Sequence, residues 1–200
     1  MRDKPYFAVF YMFAVTAFFS AVLIGFARLT RDKVRANQQI AFEKAVLQVF
    51  PEITAATHAQ IHKIFIEQFK RRPFGYVYRK NGKTVGYAVP VEGQGFWAPI
   101  KGIVGIAADK RTVTGIAFYE QSETPGLGAR IVEPDFRDAF AGKQLAAGER
   151  PLGIRAAGAA LKNNEVHSIT GATQTCVRLE KLINDGVSLW RDRIRREEES

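Results

Sequence analysis

The fold class this sequence predicts is α+β: a single N-terminal transmembrane helix, then a domain with a twisted, largely antiparallel sheet and flanking helices. Three observations predict it. Tyr6 to Ala27 carries no charge and is rich in Phe, Val, Ala and Leu. Short alternating runs in the middle of the chain are separated by turn residues, among them Asn81-Gly82. Near the C-terminus, Cys176, Leu179, Ile183, Val187, Trp190 and Ile194 recur at i, i+3 and i+4 spacing, the stripe of a half-buried helix.

The apolar N-terminal run comes first. At 1.5 Å per residue it makes a helix about 33 Å long, enough to cross the hydrocarbon core. Tyr6 and Tyr11 suit one interface; Arg28, Arg31, Lys33 and Arg35 suit the other. The run is longer than a usual signal-peptide core, and Arg28-Leu29-Thr30 lacks the small residues of a cleavage site, so an uncleaved anchor is expected. Val34 to Phe50 reads as a separate helix, with Ala41, Ala45, Val46 and Val49 at helical spacing and Pro51 beyond it. Thr57 to Lys70 reads as a second, shorter helix, broken by Arg71-Arg72-Pro73. These signals divide the chain into an anchor with its basic flank (1–35), a helical connector (36–72) and a sheet-bearing domain (73–200).

Strand patterns then begin. Gly75 to Arg79 and Thr84 to Val89 flank Asn81-Gly82, two residues that tolerate positive φ in a tight hairpin. Gly93-Gln94-Gly95 opens a loop before Phe96, Trp97 and Pro99. Lys101 to Ala108 and Thr112 to Tyr119 form a second pair around Asp109-Lys110-Arg111, and a glycine-rich loop follows from Glu123 to Gly128. Pro134 to Ala141 reads as helix, and Leu145 to Ala160 holds several loop residues. The tail from Arg195 to Ser200 is charged and expected to fray.

The 200 residues suffice for one anchored domain. The net charge of +9 is spread between the juxtamembrane flank and clusters such as Lys70-Arg71-Arg72. That distribution fits membrane anchoring and a solvated surface, and no recognition-helix pattern supports a nucleic-acid partner. Cys176 is the single cysteine, which excludes an internal disulfide, an iron–sulfur cluster and a c-type haem site. His58 and His62 have helical metal-ligand spacing, but no third ligand is evident nearby, so no metal is assigned.

Three segments carry chemistry. Ser168-Ile169-Thr170-Gly171-Ala172-Thr173-Gln174-Thr175 lies before the last helix. Small hydroxyl residues and a glycine there either cap the helix, with Thr170 as the cap, or leave room for an anion at its positive end. Glu123-Thr124-Pro125-Gly126-Leu127-Gly128 is a turn that can aim N–H groups at a flat heterocycle, or simply a tight turn after a strand. Gly93-Gln94-Gly95-Phe96-Trp97-Ala98-Pro99-Ile100 offers aromatics that either flank a planar ring or fill a core.

Taken together, these three segments resemble the FMN-binding domain family, which includes the G subunit of the Rnf ion-translocating complex and the C subunit of the sodium-pumping NADH:quinone reductase. The short chain looks more like the Rnf subunit. The resemblance implies that residues 73–200 form the FMN-binding domain. It also implies that a flavin transferase uses FAD to join FMN through its phosphate to the hydroxyl of Thr173, the final threonine of the family's Asp-x-x-Ser/Thr-Gly-Ala-Thr pattern. Here that pattern runs through Thr170, Gly171 and Ala172, with His167 at the Asp position. Glu123, Thr124, Gly126, Leu127, Gly128, Phe96 and Trp97 are the implied ring neighbours. No strand-linked Gly-x-Gly-x-x-Gly marks a nicotinamide site. The expected role is therefore an electron carrier with no catalytic side chain of its own, whose partners are the other membrane subunits of an electron-transport complex. A non-redox, membrane-tethered FMN sensor or scaffold is the alternative. The family relation implies a domain on the periplasmic side of the inner membrane. The excess of Arg28, Arg31, Lys33 and Arg35 over Arg2 and Lys4 points the other way.

Overall fold

The computed structural model describes residues 5–55 and 57–199. Arg2 and Lys4, used in the charge count, and Ser200 of the tail lie outside them. Contacts divide the chain into two units, Met1–Gln39 and Ile40–Ser200.

The first unit is helical. Helix α1 runs Pro5–Gln48 without interruption, so the expected anchor and the helix expected from Val34 are one element. The physical reason lies in the junction: Arg28 to Arg35 holds neither proline nor glycine and is rich in good helix formers. Thr30, inside that junction, returns its hydroxyl to the Phe26 carbonyl at 2.9 Å and leaves the ladder unbroken. Phe10, Phe13, Phe18, Leu23 and Phe26 are exposed on this helix. It is long and apolar enough to cross a membrane.

The second unit is built on a sheet. Strands β1 (Phe69–Arg72), β2 (Gly75–Lys80), β3 (Lys83–Gln94), β4 (Pro99–Ala107) and β5 (Val113–Glu120) form an antiparallel meander in chain order. Asn81 and Gly82 both have positive φ, at 52° and 77°, as the two-residue hairpin requires. Asp109 fixes the β4–β5 turn by accepting from the N–H groups of Arg111 and Thr112, each at 2.9 Å.

Alternation along the strands sends neighbours to opposite faces. Val89, Val104 and Ile116 face one core, shared with Leu179, Ile183, Val187 and Trp190. Ala88, Ile103 and Ala117 face the other, shared with Ala45, Val46, Val49, Phe50 and Ile61. The sheet is thus the middle of three layers. Helix α2 (His58–Gln68) belongs to the second face and begins with a capping box between Thr57 and Gln60.

Strand β1 departs from expectation, because the sequence pattern carries the second helix through Phe69 and Lys70. The Phe69 ring stacks on Tyr78, with centroids 4.9 Å apart and planes 12° apart, and packs against Phe50. Burying that ring extends the chain, and Lys70, Arg71 and Arg72 stay exposed on an edge strand, where charge discourages further pairing.

Beyond β5 the backbone is less regular. A 3-10 turn (Gly128–Val132), helix α3 (Pro134–Asp138) and the short strands β6 (Gly153–Arg155) and β7 (Glu165–His167) precede helix α4 (Thr173–Glu198). Strands β6 and β7 pair in parallel, although the sequence pattern marks neither as a strand. Three residues are too few to display a period, and side chains hold this pair. Glu180 accepts from the Ile154 N–H at 2.6 Å, and Glu165 accepts from the Lys162 N–H at 2.9 Å. The six residues of the C-terminal stripe are all buried. Helix α4 continues to Glu198, with Ile194 in the core.

Candidate functional site

The three segments singled out in the sequence meet at one buried carboxylate. Gly95 to Ala98 is the turn between β3 and β4, closed by the Gly95 N–H donating to the Ala98 carbonyl at 2.9 Å. This turn presents Phe96 and Trp97 outward; Trp97 is 65% exposed. Their N–H groups point inward and donate to Glu123 Oε1, at 2.8 Å and 3.1 Å. Oε2 of the same side chain accepts from the Thr175 hydroxyl at 2.6 Å. Glu123 is only 5% exposed. A buried carboxylate is costly without donors, and here three donors satisfy it.

Glycines make room for this clasp. A Cβ on Gly95 would stand 2.6 Å from Glu123 Oε1. One on Gly128 would stand 2.5 Å from Thr175 Oγ1. The intervening loop folds back on Thr124, whose carbonyl accepts from the N–H groups of Leu127 and Ala129, both at 3.1 Å. Trp97 Nε1 donates to the Thr124 hydroxyl at 3.0 Å, tying the exposed indole to the same loop. Gly126 takes φ +72° in open space. Leu127 is partly exposed and reaches toward Gly171, where a Cβ would lie 2.9 Å from its Cδ2.

The start of α4 completes the site. Ala172, not Thr170, is the N-cap residue, and no side chain caps the helix. The Thr170 capping expectation is thereby corrected: the turn through Gly171, at φ +81°, carries the chain past Thr170 before the helix begins. The N–H groups of Thr173, Gln174 and Thr175 belong to the first turn, where helix geometry gives no internal acceptor. Thr173 is exposed and Thr175 buried, so two hydroxyls two positions apart have opposite surroundings. An exposed hydroxyl beside uncapped amides at the positive helix end favours an anionic group there.

The remaining residues fall around this centre. His167 is exposed at the end of β7, with Nδ1 3.3 Å from the Ala156 carbonyl oxygen. His167 and Thr170 line a separate open hollow with Arg130 and Lys143. The Arg178 guanidinium lies 6.0 Å from the Phe96 ring centre, a cation–π distance. Cys176 is buried, and burial pushes its thiol pKa upward, away from reactivity. His62 pairs with Glu43 at 3.0 Å rather than with His58. Sequence reasoning named Glu123 as part of the loop but missed that it turns inward, and it missed Thr175 as its partner. The available signal was slight: a second hydroxyl two residues after Thr173.

Comparison with known proteins bears on this geometry. The FMN-binding domain family matches residues 95–188, a stretch that contains Glu123, Thr173 and the Phe96–Trp97 turn. The C subunit of the Na(+)-translocating NADH-quinone reductase of Haemophilus ducreyi is 40% identical over 111 residues, covering 54% of this chain and 42% of that protein. Its counterpart of the same name from Neisseria meningitidis is 37% identical over 98 residues, covering 48% and 38%. The matched part is thus less than half the length of these relatives. Among solved structures, the C subunit of the Na(+)-translocating NADH-quinone reductase from Parabacteroides distasonis superposes with a TM-score of 0.67 at 20% identity, covering 78% of this chain and 93% of that one. Shewanella oneidensis NqrC gives 0.67 at 19%, covering 80% and 99%. At such identities these two establish the α+β fold alone. Over residues 95–188, this chain therefore carries a domain of the FMN-binding domain family.

Proposed function

We propose that this chain is a membrane-anchored flavoprotein subunit that carries FMN as a phosphoester on Thr173 and passes electrons within a multisubunit, ion-translocating complex of the Rnf type or its NADH-quinone reductase relative. The observation that carries the reading is the start of α4. There an exposed threonine hydroxyl adjoins uncapped N–H groups, and the carboxylate clasp links this turn to an exposed aromatic pair.

The residues present fit the cofactor. Thr173 supplies the attachment oxygen, and the first turn of α4 supplies amides and a helix dipole for a phosphate. Phe96, Trp97 and Leu127 supply exposed apolar surface for a flat ring. Bound FMN would supply one- and two-electron redox chemistry, and the protein attachment, orientation and tuning. The partners are other membrane subunits, and a flavin transferase that installs the group. The apolar part of α1 is the anchor, and the folded unit faces the periplasm. Long domains translocate despite flanking positive charge, so the basic residues after Ala27 do not prevent this.

Two measurements test the proposal. After co-expression with a flavin transferase, the denatured chain should keep yellow flavin and gain the mass of an FMN ester. Thr173→Ala should abolish that gain while the fold survives, since alanine is a good helix former. Covalent flavin on Thr173→Ala would overturn the assignment. For orientation, protease added to intact spheroplasts should digest the domain; complete protection would place it inside.

A further inference from the structure

Five polar or charged side chains are buried among the described residues: Glu43, Glu123, Glu165, Thr175 and Asn184. Glu165 is paired with Arg155, and Asn184 holds the backbone of Leu152. Glu43 meets His62. Glu123 and Thr175 are different, because they bond each other across 52 positions of sequence. Among the described residues the Glu123 carboxylate makes no ion pair. Its donors are two backbone N–H groups at the tip of one turn and one hydroxyl in the first turn of α4.

This arrangement has a mechanical consequence. The exposed aromatic pair stands on the residues whose N–H groups Glu123 holds. The exposed Thr173 stands two residues before the hydroxyl it holds. A shift of either part changes a hydrogen bond to the same carboxylate, and a side chain in place of Gly95 or Gly128 would press on that carboxylate. Taking the proposed function as given, we infer that Glu123, acting through Thr175, is a positioning residue. It fixes the Phe96–Trp97 wall relative to the attachment hydroxyl and so sets how the flavin ring is held. Attachment and ring positioning are then separable: Thr173 governs the first, and the Thr175–Glu123 bond governs the second.

The test uses the full chain in detergent after co-expression with a flavin transferase. Thr175→Val removes the hydroxyl and keeps a similar shape; Thr175→Ser keeps the hydroxyl. Intact mass should show attached flavin in both. In Thr175→Val the flavin fluorescence should rise, its visible circular dichroism should weaken and its midpoint potential should shift. Thr175→Ser should match the parent. A purely structural role would lower the melting temperature of Thr175→Val yet leave these signals unchanged in the folded protein, and that result would overturn the inference. So would a serine variant that behaves like the valine one.

A flavin-independent readout accompanies these. On a Thr173→Ala background, amide exchange at Phe96 and Trp97 should quicken with Thr175→Val and not with Thr175→Ser; equal rates in both count against the clasp. If Thr175→Val does not fold, Thr175→Ala replaces it, because it lacks the hydroxyl that Glu123 holds. Unchanged flavin signals there also overturn the inference. A parent chain without flavin would refute the proposed function, and this role with it. Flavin attached to every variant with identical spectra would refute the positioning role alone.

Discussion

Strands β1 to β5 and the stretch from Gln121 to Ala172 satisfy their backbones in different ways. In the sheet, nine consecutive pairs between β3 and β4 share the work of hydrogen bonding, from Gly86 opposite Ala107 to Gln94 opposite Pro99. In the later stretch, short backbone turns do part of it and single side chains add the rest. Asn184 bonds both the N–H and the carbonyl of Leu152, each at 2.8 Å. Glu180 takes the Ile154 N–H, Glu165 the Lys162 N–H, and Glu123 the N–H groups of Phe96 and Trp97 across the site. A ladder spreads the cost of any one change over many bonds. An anchor concentrates it, because removal strands a buried backbone group. The site lies where such anchors act, since loops can be shaped around a ligand in ways a ladder cannot.

This contrast can be broken by substitution. The largest stability effect should come from Asn184→Ala, which leaves two backbone groups unpaired at about 1–3 kcal/mol each. Lys83→Ala, on an exposed strand position, should change stability by no more than about 0.5 kcal/mol. Denaturant unfolding of both variants in the same detergent measures the difference; equal effects would remove the distinction.

Gly126→Val comes next. The position has φ +72°, and a Cβ placed there would meet nothing within 4 Å, so the cost is backbone strain alone, about 1–3 kcal/mol. Flavin should stay attached to Thr173 while its absorbance and potential change. A folded variant with an unaltered spectrum would make the Glu123–Gly128 loop merely structural.

The smallest effect concerns acid. The Lys162 N–H, helped by the Arg155 guanidinium and opposed by burial, holds the Glu165 carboxyl below its ordinary value. Because the folded value is depressed, Glu165 stabilises the fold fully above the ordinary glutamate range. That contribution is lost as the pH falls through the lowered value. Glu165→Gln should therefore flatten the dependence of the denaturation midpoint on pH below about 4.5. An unchanged acid limb would show that the anchor works through its hydrogen bonds without its charge.

Some of this was legible residue by residue. Asn81-Gly82 announced its hairpin because positive φ is a property of those two residues. Cys176 to Ile194 announced a helix face because a helix period is local. Strand β1 was not legible, because Lys70, Arg71 and Arg72 show no alternation. Their extension depends on Phe69 reaching Tyr78 across the hairpin. The parallel β6–β7 pair was hidden for the same reason, its hydrogen-bonding side chains lying on α4 and at the start of β7.

The sequence by itself determined an apolar helix of membrane-crossing length, an antiparallel sheet, an amphipathic last helix and three segments rich in glycine, hydroxyl and aromatic residues. Each rests on neighbours within a few positions, where residue type alone limits the backbone. The tertiary structure decided that Glu123 faces inward, that Thr175 meets it and that Thr173 is left exposed at an uncapped helix start. Those outcomes depend on groups 52 and 27 positions apart finding one another. A carboxylate can be buried only where folding brings enough donors to it, and no local pattern says which donors those will be.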